Sequence, residues 1–144
     1  MRITLFSDYA LRLLMHVALH PAERVTIARV ATAFGISRHH LTKVAHQLAL
    51  AGLLRSSQGR GGGLRLARPA AEITLAEVLR ITERGAPLVE CFDPATNQCV
   101  ITPACRLQHA LAAAEAAFYA ALERRSLQEL VAQPAPLLAL LRVA

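Results

Sequence analysis

Residues 26–52, TIARVATAFGISRHHLTKVAHQLALAG, decide the fold. Thr26 is an N-cap residue ahead of the short apolar-periodic run IARVATAF, and Gly35 is the kind of residue that closes such a helix. Ser37 repeats the opening signal before RHHLTKVAHQLALA, which Gly52 closes. Two helices joined by the tight F-G-I-S turn make a helix-turn-helix. At about 3.6 residues per turn, Leu41, Val44, Ala45 and Leu48 form an apolar stripe on the second helix. His39, Thr42, Lys43 and His46 lie opposite, flanked by Arg38 and His40. A helix with core on one side and Arg, His, Thr and Lys donors near its N-terminal end is suited to the DNA major groove. Such a face on an isolated helix is equally an ordinary solvated surface, so the flanking sequence has to decide.

The chain continues with Leu53-Leu54-Arg55, the turn S-S-Q-G-R-G-G-G, and the returning Leu64-Arg65-Leu66 before Pro69. This pattern predicts a β-hairpin wing. Its glycines allow backbone conformations closed to other residues and close approach to a partner, with Arg60 at the tip as a minor-groove or phosphate probe. The DNA-facing candidates are therefore Ser37, Arg38, His39, His40, Thr42 and Lys43 on the helix, with Arg60, Gly61, Gly62 and Arg65 on the wing. A nucleotide site is excluded as a reading of this loop, because no G-x-G-x-x-G opens a helix after a buried strand and no Walker lysine is present.

Charge follows the same division. Residues 1–68 carry ten Lys/Arg against two acids, Asp8 and Glu23, a net +8, whereas the remainder carries six Arg against eight acids, a net −2. A basic first half joined to a mildly acidic second half points to nucleic-acid binding coupled to another task. The chain has 144 residues, 54% of them hydrophobic, with no Trp and 4% aromatics, which favours helices over a β-sandwich. We expect a mainly α protein with a small β-hairpin wing: residues 1–70 a winged helix-turn-helix, and 71–144 a sensing loop with dimerisation helices.

Upstream, Ser7 is expected to cap a largely buried helix from about Asp8 to His20 that Pro21 ends. Charged and polar interruptions at Asp8, Arg12 and His16 argue against a signal peptide, and no stretch reaches the ~18 apolar residues of a membrane span, so a cytoplasmic protein without membrane contact is expected. Downstream, Thr74 caps LAEVLRITER, which Gly85-Ala86-Pro87 ends. A long helix then runs from about Pro103 or Ala104 to Arg125. Its apolar residues Leu107, Leu111, Ala114, Phe118 and Ala121 form a seam suited to pairing with another helix in a homodimer. Ser126 caps a further short turn, and Pro134-Ala135-Pro136 breaks the chain before an apolar tail.

All three cysteines fall between these parts, in C-F-D-P-A-T-N-Q-C-V-I-T-P-A-C from Cys91 through Cys99 to Cys105. An odd set of thiols crowded into one loop of a cytosolic chain suits metal or redox chemistry better than disulfides. Gaps of seven and five residues are awkward for zinc, whose sites usually show C-x2-C to C-x4-C pairs. A cluster needs thiolates spread around a larger inorganic core. Spacing leaves an iron-sulfur cluster, zinc and bare thiol sensing open. Three thiolates are one ligand short of the usual four, and Glu90, Asp93, His109 or the partner subunit's Asp8 are candidates for the fourth. His16 and His20 have metal-compatible spacing, but Val17 stands where H-E-x-x-H requires Glu, and they read as a partly buried and a helix-end histidine. No enzyme constellation is present.

L-F-S-D-Y-A-L-R at the start, I-S-R-H-H-L-T-K-V in the recognition helix, G-R-G-G-G-L-R-L in the wing and C-V-I-T-P-A-C-R-L after the loop resemble the winged-helix iron-sulfur transcription regulators typified by IscR and NsrR. The C-x-I-T-P-A-C-R-L segment is most similar to the nitric-oxide-sensing NsrR branch. The resemblance implies a homodimeric repressor on a partly palindromic double-stranded operator, released when nitric oxide attacks the cluster. It implies a 4Fe-4S or 2Fe-2S cluster on Cys91, Cys99 and Cys105, with Asp8 as a ligand across the dimer and Arg60 as the wing arginine. Two features depart from the family. The first cysteine gap is longer than the usual four or five residues, and Gln108 stands where IscR-like members have a histidine ligand. Two other readings are a regulator of the same family answering to iron, cluster supply or redox state, and a zinc-braced protein-interaction module.

Overall fold

The computed structural model of the protein describes residues 3–57, 59, 61–84 and 87–141. Helices α1 (Leu5–Ala18), α2 (Ile27–Phe34) and α3 (Arg38–Leu50) are followed by the strands β1 (Leu54–Ser57) and β2 (Gly63–Leu66). Helices α4 (Leu75–Thr82), α5 (Arg106–Glu123), α6 (Leu127–Leu130) and α7 (Pro134–Leu141) complete the order, with short 3-10 turns at Ala70–Glu72, Glu90–Phe92 and Thr102–Ala104. The fold is the expected one, mainly helical with a two-stranded antiparallel wing. None of the described helices is long and apolar enough to cross a membrane.

The helix-turn-helix forms for the local reasons its sequence shows. The Thr26 side chain accepts a hydrogen bond from the N–H of Arg29, and Gly35 closes α2 in the left-handed conformation at φ 65°, where a β-carbon would be strained. Leu41, Val44, Ala45 and Leu48 are all buried. They join Ala10, Leu13, Leu14 and Val17 of α1 in a core that continues through Leu53, Leu54 and Leu64 of the wing to Ile73, Val78 and Leu127. Helix α1 is the centre of this packing, in contact with α3, α4, α6 and β2.

Three boundaries differ from expectation. Helix α1 begins at Leu5, capped by Thr4, whose hydroxyl accepts from the N–H of Ser7. Ser7 lies inside the first turn, fully buried, and its hydroxyl is 2.6 Å from that of Thr82 and donates to Glu83. Both residues are able to cap, and a long-range partner decides between them. Helix α4 stops at Thr82, with Glu83 as its C-cap, because the Glu83 carboxylate is drawn to the N-terminus of α1, 2.8 Å from the N–H of Thr4. Pro134-Ala135-Pro136 opens α7 rather than breaking the chain, since proline is tolerated in a first helical turn.

Strands β1 and β2 pair Leu54 with Leu66, Arg55 with Arg65 and Ser56 with Leu64. A bridge from Val25 to Leu64 seats the wing on the α1–α2 connection. Gly63 is required there, because a β-carbon would meet the Val25 carbonyl oxygen at 2.9 Å.

His16 is the exception in the core. It is 2% exposed, stacked on His20 and edge-on to Phe34, and neither ring nitrogen has a hydrogen-bond partner. Burial, reinforced by the nearby charges of His20 and Arg29, lowers its pKa to about 4. An unpartnered buried imidazole of this kind costs about 1–3 kcal/mol.

Candidate nucleic-acid interface and cysteine loop

On α3 the six expected donors share one open surface: Ser37, Arg38, His39, His40, Thr42 and Lys43 are all exposed, as is His46. Ser37 occupies the N-cap position without making a capping hydrogen bond, which leaves its hydroxyl and the free N–H groups of the first turn available to an anion. Thr42 donates its hydroxyl to the Arg38 carbonyl at 2.8 Å, so its oxygen remains an acceptor. The His40 ring lies 6.2 Å from that of Tyr9, which braces it against α1.

On the wing, Arg60 lies outside the described residues. Gly61 is exposed at φ 76°, and the N–H of Gly62 closes the tip on the Gly59 carbonyl at 2.9 Å. Arg65 is exposed and donates to the Ala22 carbonyl at 3.0 Å. Two further cations, absent from the sequence-based candidates, join this surface. Arg55 stands directly opposite Arg65 in the register, a like-charge pair that is unfavourable until an anion neutralises it. Arg24 reaches over from the α1–α2 connection and donates to Ser57 at 2.9 Å and to the Gly61 carbonyl at 3.4 Å, fixing the tip. The signal for Arg55 is present in the hairpin, but it needs the strand register; the signal for Arg24 is tertiary.

The cysteine loop sits beyond α4. Cys91, Cys99 and Cys105 are free thiols, each partly buried. Cys105 is the N-cap of α5, its Sγ accepting from the N–H of Gln108 at 3.4 Å. The Gln108 amide reaches back to donate to the Cys91 carbonyl at 3.0 Å, so a single residue ties the first cysteine to the last. Asn97 holds the middle: its Oδ1 accepts from the N–H of Cys99 at 3.0 Å, while its amide donates to Thr102 at 3.1 Å. Asp93 uses both carboxylate oxygens in a turn, accepting from the N–H of Ala95 and from the Thr96 hydroxyl. Val100 is 91% and Ile101 60% exposed on the same loop.

Asp8 lies in the first turn of α1 and is gripped by Arg12, Nε to Oδ1 at 3.1 Å and Nη2 to Oδ2 at 2.9 Å. The guanidinium of Arg12 also stands 5.9 Å from the Phe34 ring of α2. One turn earlier, Glu83 accepts from Ser7 and from both the N–H and hydroxyl of Thr4. Burial acts to raise its pKa, but these hydrogen bonds outweigh burial and leave it lowered. The end of α4 is thereby clamped to the turn that carries Asp8.

Among the described residues no three His, Cys, Asp or Glu side chains converge as they would on a single metal ion. A lone zinc ion is therefore a poor fit to the loop. The donor set itself, three soft thiolates on a segment tied at both ends and flanked by hydrogen-bond donors, fits an iron-sulfur cluster, whose larger core takes ligands set further apart.

The Rrf2 family profile, described as "Iron-dependent Transcriptional regulator", matches residues 3–133. The chain belongs to the Rrf2 family. Among curated relatives, this Rrf2 chain is 43% identical over 143 residues to the HTH-type transcriptional regulator NsrR of Shouchella clausii, covering 99% of this chain and 96% of that one. It is 39% identical over 144 residues to the NsrR of Bacillus subtilis, covering 99% of each. Among solved structures it is similar to the oxidized form of Staphylococcus aureus CymR, with TM-score 0.70, 24% identity and coverage of 90% and 95% of the two chains. It is likewise similar to T. potens IscR, with TM-score 0.72, 18% identity and coverage of 100% and 93%. These structural likenesses establish the shared Rrf2 fold.

Proposed function

We propose that this Rrf2 chain is a DNA-binding transcriptional repressor that senses nitric oxide through an iron-sulfur cluster on Cys91, Cys99 and Cys105, and that leaves its operator when nitric oxide attacks the cluster. The observation that carries this reading is the cysteine loop itself: three free, partly buried thiols, joined end to end by Gln108, between the basic winged helix and α5. Identity of about 40% to relatives called NsrR along the whole chain supports it. When bound, the cluster supplies iron that reacts with nitric oxide. Cys105 would hold it at the N-terminus of α5, Gln108 would fix the separation of the outer cysteines, and the partner subunit's Asp8 would be the exchangeable fourth ligand.

DNA contact falls to Ser37, Arg38, His39, His40, Thr42 and Lys43 of α3, and to Arg60, Gly61, Gly62 and Arg65 of the wing, with Arg55 added by its register. A partly palindromic operator follows from a homodimer. Helix α5 supports the homodimer, since none of its residues is buried and Leu107 is 65% exposed. The apolar Val100 and Ile101 continue that surface from the cysteine loop.

Protein purified without air should be brown, contain iron and sulfide, and lose its visible absorbance on addition of nitric oxide. A colourless protein after anaerobic reconstitution overturns the proposal. A second reading, in which iron or cluster supply is the signal, is favoured by the description of the family profile as iron-dependent. Comparing operator affinity after chelator, oxygen and nitric oxide separates the two.

A further inference from the structure

The wing is held by a segment outside its own hairpin, residues 22–25 of the α1–α2 connection. Val25 and Leu64 exchange backbone hydrogen bonds at 3.0 and 2.7 Å, which adds one rung beside β2. Gly63 is pressed so close that a β-carbon would lie 2.9 Å from the Val25 carbonyl oxygen and 3.2 Å from the Arg24 β-carbon. Arg65 donates to the Ala22 carbonyl at 3.0 Å. The connection is thus a mount for β2.

The tip beyond this mount is built from residues that resist being fixed. Gly59, Gly61 and Gly63 have φ of 88°, 76° and 157°, and glycine loses more conformational freedom on ordering than any other residue. Arg24 supplies the restraint that the glycines lack. Its Nη1 donates to the Ser57 hydroxyl at 2.9 Å and to the Gly61 carbonyl at 3.4 Å. The Ser57 hydroxyl in turn lies 3.4 Å from the Gly63 carbonyl as its donor. Ser57 and Gly63 are the last paired residues of the hairpin, so one guanidinium joins the mount, the final rung and the tip. Arg24 is in none of the ion pairs of the described residues, and both acceptors that hold it belong to the wing.

We propose that Arg24 is a positioning residue for DNA recognition: it ties the wing tip to the α1–α2 connection and thereby sets sequence specificity where the wing meets the duplex, without itself neutralising a phosphate. The inference rests on the DNA-binding reading above. A tip already held in its bound shape avoids an ordering cost on association. A tip held at one angle also favours duplexes whose groove shape matches it. Releasing the tip therefore costs discrimination between sequences more than it costs attraction to DNA. Loss of a phosphate contact behaves differently, weakening binding evenly across sequences and reducing the dependence of log affinity on log salt by about 1.

The test uses the full chain, kept without air, and an operator that the wild-type protein selects from a pool of random-sequence duplexes. Anisotropy titrations compare this operator with a shuffled duplex at several salt concentrations. Arg24→Ala should lower the ratio of the two affinities by about tenfold, with the salt slope and the thermal midpoint at their wild-type values. Ser57→Ala, which removes an uncharged partner of Arg24, should lower the ratio in the same direction, and the double variant should lose no more than Arg24→Ala alone. Hydrogen exchange of the free protein should show faster exchange at Gly61 to Gly63 in Arg24→Ala, and unchanged exchange in α1 and α3. Equal weakening on both duplexes with a slope reduced by about 1 makes Arg24 a phosphate contact and overturns the proposal. An unchanged ratio in a protein whose wild type does select an operator overturns this inference alone. A wild-type protein that selects no duplex overturns the DNA-binding reading, and this inference with it.

Discussion

Asp8 shows how much a single side chain can be asked to do. Arg12 holds its carboxylate in an i,i+4 pair whose partners are 43% and 38% exposed, and pairs of that kind contribute about 0.3–0.5 kcal/mol. Its place in the first turn of α1 adds a comparable favourable interaction with the helix dipole. Asp8→Ala should therefore cost roughly 1 kcal/mol in stability at most, while changing the spectrum or the lifetime of the cluster. A spectrum identical to wild type would release Asp8 from the proposed ligand set. His16 gives a second residue-scale prediction. Its pKa falls from 6.5 in the unfolded chain to about 4 in the fold, so between these values the unfolded chain binds the proton and the native one does not. The protein should lose up to about 3 kcal/mol as pH falls from 7 towards 4, and His16→Phe should flatten that slope. Denaturant melts at several pH values decide this, and an unchanged slope in the variant would contradict it. Neither residue's role is legible from spacing. The Asp8–Arg12 pair is local, one helical turn apart, whereas the isolation of His16 depends on Phe34 and on α7.

Elements are legible where their causes are local. The stripe of Leu41, Val44, Ala45 and Leu48, the Thr26, Thr74 and Ser126 caps and the glycine-rich hairpin all emerge from periodicity and capping within a few residues. The start of α1 is not, because Ser7 exchanges its capping role for Thr82 and Glu83, more than seventy positions away in the chain. Helix α7 escapes a sequence reading because Pro134 has the signature of a breaker as much as that of a first-turn residue. The wing makes the sharpest element-scale prediction. Arg55 and Arg65 face each other across the hairpin, so Arg55→Ala removes a repulsion and the proposed phosphate contact together. Operator affinity should fall and its dependence on log salt should flatten by about 1, while the thermal midpoint stays level or rises. Loss of stability alongside loss of binding would mean that Arg55 is a structural residue instead.

At the scale of the molecule, α5 separates what one chain supplies from what two must share. Its 18 residues touch mainly α4 and none is fully buried; of the seam residues, Leu107 is exposed while Leu111 and Phe118 are half-buried. The seam is legible in the sequence; that its own subunit covers it only in part is a tertiary fact. Leu111→Glu should yield folded monomers by sedimentation, with a far-ultraviolet spectrum close to wild type and greatly weakened operator binding. A variant that remains dimeric would place the interface elsewhere. In the proposed account the three parts act in series: Glu83, at the end of α4 ahead of the cysteine loop, is hydrogen-bonded to Thr4 and Ser7 at the start of α1, and α1 packs directly on the recognition helix. The most direct measurement of this coupling tracks operator binding by fluorescence anisotropy and cluster absorbance in the same anaerobic cuvette during a nitric oxide titration. DNA should be released in step with bleaching, and a protein with Cys91, Cys99 and Cys105 changed to Ser should show no response to nitric oxide. Bleaching that leaves the anisotropy unchanged would contradict the coupling.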